Sequence, residues 1–321
     1  MSTLDVLKLT PLPTHLMTAL QARYQVHDHG HLIDPAAFTR VSVMVGTSEM
    51  KVDAKLLATY PHVRRVCVVG ERFDQVDMEA LKARSISLTY TPGLTDDDVA
   101  DLAMGLVLSV VRKIPEAHRF VRNADWVDGP FALTRQVTGI RMGLMGDKAL
   151  MMEIAKRAQG FKMMLNYHQR EEDHEFSLRT PIRWWADLHA MAKEVDVLVL
   201  CASAEKSNQA KGNHPEQVAM VNASVIEALG AQAYVINVGD PHMLDQAALL
   251  QALQQKKLAG AALDVFVEEP KVSAEWRNLQ NAVLTPHMGA STEGAQKAMA
   301  AMALTHLEEF QKHQDALDCG H

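Results

Sequence analysis

Short runs of β-branched and other apolar residues alternate along this chain with longer stretches whose apolar positions recur at helical spacing. In the amino-terminal part this pattern predicts strands at Val6–Leu9, Val41–Val45 and Val66–Val69, with a weaker one at Ile86–Thr89. Helical patterns at Leu16–Tyr24 and Met78–Ala83 lie between them. A long apolar helix is then predicted from about Asp98 to Val121, with Val99, Leu102, Ala103, Leu106 and Val110 on one face. A second series of strands follows at Arg141–Met145, Met163–Asn166, Val195–Leu200, Tyr234–Val238, Gly260–Phe266 and Val283–Leu284. The helices between them fall near Leu150–Ala158, Leu188–Lys193, Ala223–Leu229 and Leu244–Gln255. The polar segment Ser203–Glu216 reads as a loop, and Trp184–Trp185 as a loop packed onto the second domain. A closing helix spans about Thr292 to Gln314, leaving Asp315–His321 as a frayed tail. Strands that alternate with helices imply parallel sheets with crossover helices, and six strands with their helices make one doubly wound domain.

Composition narrows the picture. A chain of 321 residues, 48% of them apolar, is long enough for two domains with separate cores. It has no uncharged apolar stretch of the roughly 18 residues a membrane span needs, and Met1–Leu9 lacks the pattern of a signal peptide. The net charge of −7 is spread without a long single-sign block, which argues against nucleic acid and acidic membranes as partners. Three cysteines, Cys67, Cys201 and Cys319, are odd in number and irregular in spacing. They make no disulfide framework; Cys67 and Cys201 sit in strand-like apolar runs as small core residues, and a reducing cytoplasm is the simplest setting. His27, His29 and His31 alternate and would share one face of a strand, but a polar loop or solvated edge is the reading preferred over a metal site. No metal is expected, at Cys319 and His321 or elsewhere. Arg112, Arg119 and Arg122 on the long helix suit salt bridges or an interface.

Three stretches carry a specific resemblance: Thr91–Ala103 (TPGLTDDDVADLA), Leu258–Pro270 (LAGAALDVFVEEP) and Leu284–Gly289 (LTPHMG). In this order and spacing the chain, from about Val41 to Leu307, resembles the D-isomer-specific 2-hydroxyacid dehydrogenases. The resemblance implies two doubly wound parallel-sheet domains, a Rossmann-like cofactor domain inserted in a flavodoxin-like substrate domain. Their boundaries would be about 99–289 for the cofactor domain and 1–98 plus 290–321 for the substrate domain, with the active site in the cleft and a homodimer built on the long helix.

The same resemblance assigns candidate roles. His287 stands at the family's catalytic histidine and Glu269 at its acidic partner. The chemistry suits them: reduction of a 2-oxo acid needs a hydride on carbon and a proton on oxygen, and a histidine beside a carboxylate can carry that proton near neutral pH. Asp264 matches a family residue near the nicotinamide carboxamide, or it orients a strand end. Gly146 matches the first glycine of the G-x-G-x-x-G fingerprint. Lys148 takes the second glycine's place, where phosphate approaches backbone, and Met151 the third, where it would loosen helix packing. Lys148 could swing outward and pair with phosphate. Asn166–Arg170 (NYHQR) lacks the acid that NAD-preferring sites place there, and Arg170 suits a 2′-phosphate, so NADP is the expected cofactor over NAD.

The substrate side departs further. In Asn237–Pro241 (NVGDP), Asp240 stands where the family has the arginine that clamps the substrate. This reverses the local charge, and Asp240 could instead pair with His287. In the loop after Val66–Val69, Gly70 is kept and Arg72 replaces a second glycine, offering a cation for a carboxylate. Asp96 replaces a threonine on the phosphate side, and the loop opening at Cys201–Ala202 lacks the family's proline and is longer. Two functions fit: an impaired NADP-dependent reductase of small 2-oxo acids such as glyoxylate or hydroxypyruvate, or a catalytically inactive relative acting as a dimeric binding or structural protein.

Overall fold

In the computed structural model, residues 4–31, 36–202 and 219–318 are described, with side chains as far as residue 315. The chain divides into two compact units, Met1–Leu94 with Thr292–His321, and Thr95–Ser291.

The first unit has a sheet of five parallel strands in the order β2-β1-β3-β4-β5. The strands are β1 (Asp5–Lys8), β2 (Gln25–Asp28), β3 (Val43–Thr47), β4 (Arg65–Val69) and β5 (Ser87–Thr89). This is the flavodoxin-like order, with its switch point between β1 and β3. Valine dominates the central strands because both faces are covered by helices, so apolar positions run on instead of alternating. Helices α1 (Thr14–Gln21), α2 (Ala37–Arg40), α3 (Ala54–Thr59) and α4 (Met78–Ala83) connect the strands. Asp53 and Asp77 cap α3 and α4 by accepting N–H bonds from Leu56 and Ala80. Strand β2 was missed in the sequence because it is polar and partly exposed. There His27 pairs with Asp5 at 2.6 Å and His29 meets the Tyr60 hydroxyl at 3.2 Å, so the alternating histidines are spent on separate partners. No group of three metal-ligating side chains occurs among the described residues.

The second unit begins with the predicted long helix, which is two helices: α5 (Asp96–Val111) and α6 (Ile114–Arg122). The break has a local cause. Pro115 has no N–H and its ring would crowd the carbonyl four residues back, at Val111, so α5 ends there and Lys113 turns left-handed at φ 50°. Seven parallel strands follow, in the order β12-β11-β10-β9-β6-β7-β8. They are β6 (Arg141–Gly146), β7 (Met164–His168), β8 (Ile182–Trp185), β9 (Val197–Cys201), β10 (Tyr234–Asn237), β11 (Gly260–Leu263) and β12 (Ala282–Leu284). The order reverses between β6 and β9, as in Rossmann folds. The expected Trp184–Trp185 loop is the edge strand β8: the Trp185 indole donates to Asn166 Oδ1 and its carbonyl meets His168 Nδ1, which ties it to β7. The crossover helices are α7 (Lys148–Gly160), α8 (His174–Arg179), α9 (Leu188–Ala192), α10 (Ala223–Leu229), α11 (Gln246–Gln254) and α12 (Ala274–Arg277). The predicted loop Ser203–Glu216 lies outside the described residues.

The closing helix α13 (Glu293–Asp318) returns to the first unit, where Ala295, Met299, Ala303 and Leu307 join the core beneath β1, β3 and β4. It runs past the expected end into the segment read as a frayed tail. Cys67 and Cys201 are buried free thiols, as core residues should be. Among the described residues no helix is long and apolar enough to cross a membrane.

Candidate functional site

Because all seven strands of the second unit are parallel, their carboxyl ends form one edge. Gly146, Cys201, Asn237, Asp264 and Thr285 all lie there, at or just beyond the ends of β6, β9, β10, β11 and β12.

The best-defined cluster follows β11 and β12. Asp264 is buried at 1% exposure, and its carboxylate accepts from Thr285 Oγ1 at 2.6 Å and from the N–H groups of Met288 and Gly289 at 2.9 Å each. The segment 285–289 is therefore wrapped around one buried anion, and these charge-assisted bonds hold His287 in the left-handed region at φ 52°. His287 Nδ1 lies 2.7 Å from Glu269 Oε2, while Glu269 Oε1 accepts from the Phe266 N–H at 2.8 Å. Both oxygens of Glu269 are thus used, one to fix the carboxylate and one to orient the imidazole. His287 Nε2 has no hydrogen bond among the described residues and is half-exposed.

The second cluster lies at the switch point. Gly146 has φ +152°, and a Cβ there would sit 2.3 Å from the Cys201 carbonyl carbon, so a glycine is needed on two grounds. Gly239 is equally confined: its Cβ would meet the Ala202 carbonyl oxygen at 2.4 Å. The N-cap of α7, Asp147, makes no side-chain hydrogen bond to the first turn, unlike the capping acids of α3, α4, α8, α9 and α11. An uncapped helix start beside a glycine turn suits a phosphate. Lys148 does not cover it: its ammonium lies 2.8 Å from Asp173 and 3.1 Å from Glu175 at the start of α8. Those two carboxylates raise the Lys148 pKa and are themselves lowered by it. Met151 is fully buried in a cluster that contains Ala100, Ala103, Ala155 and Ala158, small side chains that leave room for it where looser packing was expected. Burial pushes the Cys201 thiol far up, and the charges of Asp147 and then Asp96 push the same way, so two acids face this region. Arg170, past the end of β7, is exposed and makes no side-chain bond among the described residues.

Asp240 is used in a turn. It is 2% exposed and caps the short 3-10 helix Pro241–Met243 by accepting from the His242 N–H at 2.9 Å. The partner of His287 is Glu269, where the sequence also allowed Asp240. Asn237 shapes the same turn, donating to the Asp240 carbonyl and accepting from the Gly239 N–H.

In the first unit, Gly70 has φ +147°, and its N–H donates to Thr91 Oγ1 at 2.9 Å. Arg72 pairs with Asp74 at 2.9 Å, both groups well exposed. One feature that motif reading passed over is Arg277 on α12, which lines the same cavity of about 310 Å³ as Glu269 and His287. No family string marks it, and only the cavity brings it to notice.

Two parallel sheets, one with a Rossmann switch point and a histidine–carboxylate pair on its carboxyl edge, define a two-unit α/β dehydrogenase architecture. A family model described as "D-isomer specific 2-hydroxyacid dehydrogenase, NAD binding domain" matches residues 104–289, and the chain belongs to that family. Among curated relatives it is 31% identical over 314 residues to a glyoxylate/hydroxypyruvate reductase of Arabidopsis thaliana, covering 96% of each chain. It is likewise 31% identical to a hydroxyphenylpyruvate reductase of Plectranthus scutellarioides, again covering 96% of each. Among solved structures, a 2-hydroxyacid dehydrogenase from Ketogulonicigenium vulgare superposes with a TM-score of 0.88 at 29% identity, covering 98% of this chain and 96% of that one. An NADPH-dependent glyoxylate/hydroxypyruvate reductase from Sinorhizobium meliloti, in complex with NADP and malonate, gives a TM-score of 0.80 at 28% identity over 96% and 93% of the two chains.

Proposed function

We propose that this protein is an NADP-dependent reductase of small 2-oxo acids, impaired by the loss of the family's substrate clamp. The observation that carries this reading is the His287–Glu269 pair, with each oxygen of Glu269 engaged and the histidine loop fastened to Asp264. In this reading the unit Thr95–Ser291 holds the cofactor and the unit of both chain ends serves the substrate. The bound nicotinamide supplies the hydride. His287 donates its proton to the carbonyl oxygen, Glu269 stabilises the imidazolium, and Asp264 is a positioning residue for the loop. Gly146 and the uncapped start of α7 accommodate the pyrophosphate, and exposed Arg170 takes the 2′-phosphate. Lys148, held by Asp173 and Glu175, leaves the phosphate approach open.

The reading includes a cytoplasmic homodimer. Ile114, Val121, Trp126, Val127 and Leu133, in and just after α6, are large apolar side chains exposed in the single chain, a surface that a second copy would cover. A second reading, an inactive dimeric binding protein, is favoured by one observation: Asp240 caps a turn where a substrate-binding arginine would stand. Titration with NADPH and NADH, followed by turnover of glyoxylate and hydroxypyruvate, decides between them. NADPH-selective binding with slow, His287-dependent turnover supports the reductase. A folded protein that binds neither nucleotide at millimolar concentration sinks it.

A further inference from the structure

The cavity beside the proton-transfer pair has a charge pattern that the roles above leave unused. It holds about 310 Å³ and is lined by Phe266, Pro270, Val272, Leu284 and Pro286, with three ionisable side chains: Glu269, His287 and Arg277. Glu269 is committed to His287 and to the Phe266 N–H. The Arg277 guanidinium makes no hydrogen bond or ion pair among the described residues. Its nearby acid is Glu275, a fully exposed carboxyl whose pKa is lowered first by the Ser273 hydroxyl and last by the charge of Arg277. An uncommitted guanidinium fork at the wall of an apolar pocket of this size is suited to one carboxylate on an apolar body.

We propose that this cavity binds monocarboxylates with an apolar or aromatic side chain, and that Arg277 anchors the carboxylate in place of the arginine missing at position 240. As a substrate site it rests on the role given above to His287; as an anion site it stands on the cavity alone. The apolar wall takes the side chain and Arg277 takes the carboxylate. A carbonyl next to that carboxylate is then held in the pocket that His287 lines. The cavity thus directs the enzyme toward aryl- and alkyl-substituted 2-oxo acids over glyoxylate, which has no side chain to bury.

The probe is phenylacetate, a carboxylate with an aromatic body and no reducible carbonyl, titrated calorimetrically beside its neutral amide, phenylacetamide. Wild-type protein is expected to bind the acid saturably and the amide at least about tenfold more weakly, a difference of about 1.4 kcal/mol. Arg277→Met should weaken the acid about tenfold, erase the preference over the amide, and leave NADPH affinity and the thermal midpoint unchanged. Arg277 is exposed, so the variant should fold, and melting curves verify it. The proposal is overturned if folded wild type shows no saturable binding of phenylacetate, if acid and amide bind alike, or if Arg277→Met leaves the acid's affinity within twofold. Arg277-dependent binding of phenylacetate without any NADPH binding would uphold the anion site while removing the reductase reading; NADPH binding without it would do the reverse.

Discussion

Two loop systems on the carboxyl edge of the seven-stranded sheet differ in what they have kept. After β11 and β12, every polar group that positions His287 is present and engaged: Asp264 gathers three donors, and Glu269 uses both oxygens. After β6 and β10, the turns rest on glycine and the neighbouring side chains serve local contacts. Gly146 and Gly239 still make turns that only glycine fits, but Lys148, Met151 and Asp240 have each found a local use, in an ion pair, a core and a helix cap. The contrast shows how tolerance is distributed. A buried carboxylate serving three donors cannot be replaced singly, because each donor left behind costs about 1–3 kcal/mol. A surface lysine or a capping aspartate answers only to its immediate neighbours. The histidine loop and the glycine turns are therefore built independently on this edge.

The largest effect should come from the histidine-loop side of that comparison. His287→Gln keeps a polar side chain of similar reach but cannot shuttle the proton, and should lower kcat about a thousandfold, the middle of the range for general acid–base catalysis. NADPH affinity, measured in the same preparation, should stay within twofold. Turnover that survives this change would show that the two loop systems are not separate and that the proton comes from elsewhere. Asp264→Asn should come next. Its amide presents one oxygen and an N–H₂ to three donors, so at least one donor of the loop 285–289 loses its partner in a site of 1% exposure. A loss of about 3 kcal/mol in unfolding free energy is expected, with kcat falling with it. A variant as stable as wild type would mean that Asp264 does not hold the loop.

How much of this was readable beforehand follows the same division. The strands of the central sheets announced themselves because burial on both faces produces unbroken runs such as Val197–Cys201. Two of the four edge strands did not: β2 and β8 are partly exposed, and the tryptophans of β8 find their partners on and just after β7, Trp185 at Asn166 and His168 and Trp184 at the Gln169 carbonyl. The break after α5 was signalled by Pro115 but was overridden by a continuous apolar pattern. His287 and Glu269 could be found because they sit in recognisable strings, whereas their hydrogen bond could not. Arg277 sits in no string, and only folding brings it to the cavity wall. The fate of Lys148 was equally hidden, since its partners belong to the next helix.

A third prediction uses the opposite edge of the same sheet as a control. At the amino ends of β6 and β9, Asp196 is bound by Arg141, by the Arg141 N–H and by Arg135. Burial pushes its carboxyl up, but these cationic and N–H partners outweigh burial and hold it at about 2, below the usual 3.8. A folded-state value below the unfolded one means that the stabilisation is present above about pH 4 and lost as the pH falls toward 2. The shift corresponds to about 2 kcal/mol. Asp196→Asn should therefore lower stability by about that amount at pH 7, and by much less at pH 2.5, when followed by urea unfolding. NADPH affinity should not change, because the ion cluster lies at the amino ends of strands whose carboxyl ends carry Gly146. An equal loss at both pH values would show that packing, and not charge, is what Asp196 contributes.

The smallest effect should separate two meanings of Lys148. At the start of α7, Lys148 would either obstruct a cofactor phosphate or protect its field. The ion pairs favour protection: Lys148 neutralises Asp173 and Glu175, two acids only a few residues from Arg170. Lys148→Met removes the charge and keeps most of the bulk, leaving Asp173 without this ion pair and Glu175 with Arg179. NADPH affinity should fall about threefold and NADH affinity should fall less, with the difference shrinking at high salt because these groups are exposed and screened. If Lys148→Met and Lys148→Gly both tighten NADPH binding, the lysine is an obstruction at the switch point. If only the glycine variant tightens it, bulk is the obstacle and charge is secondary.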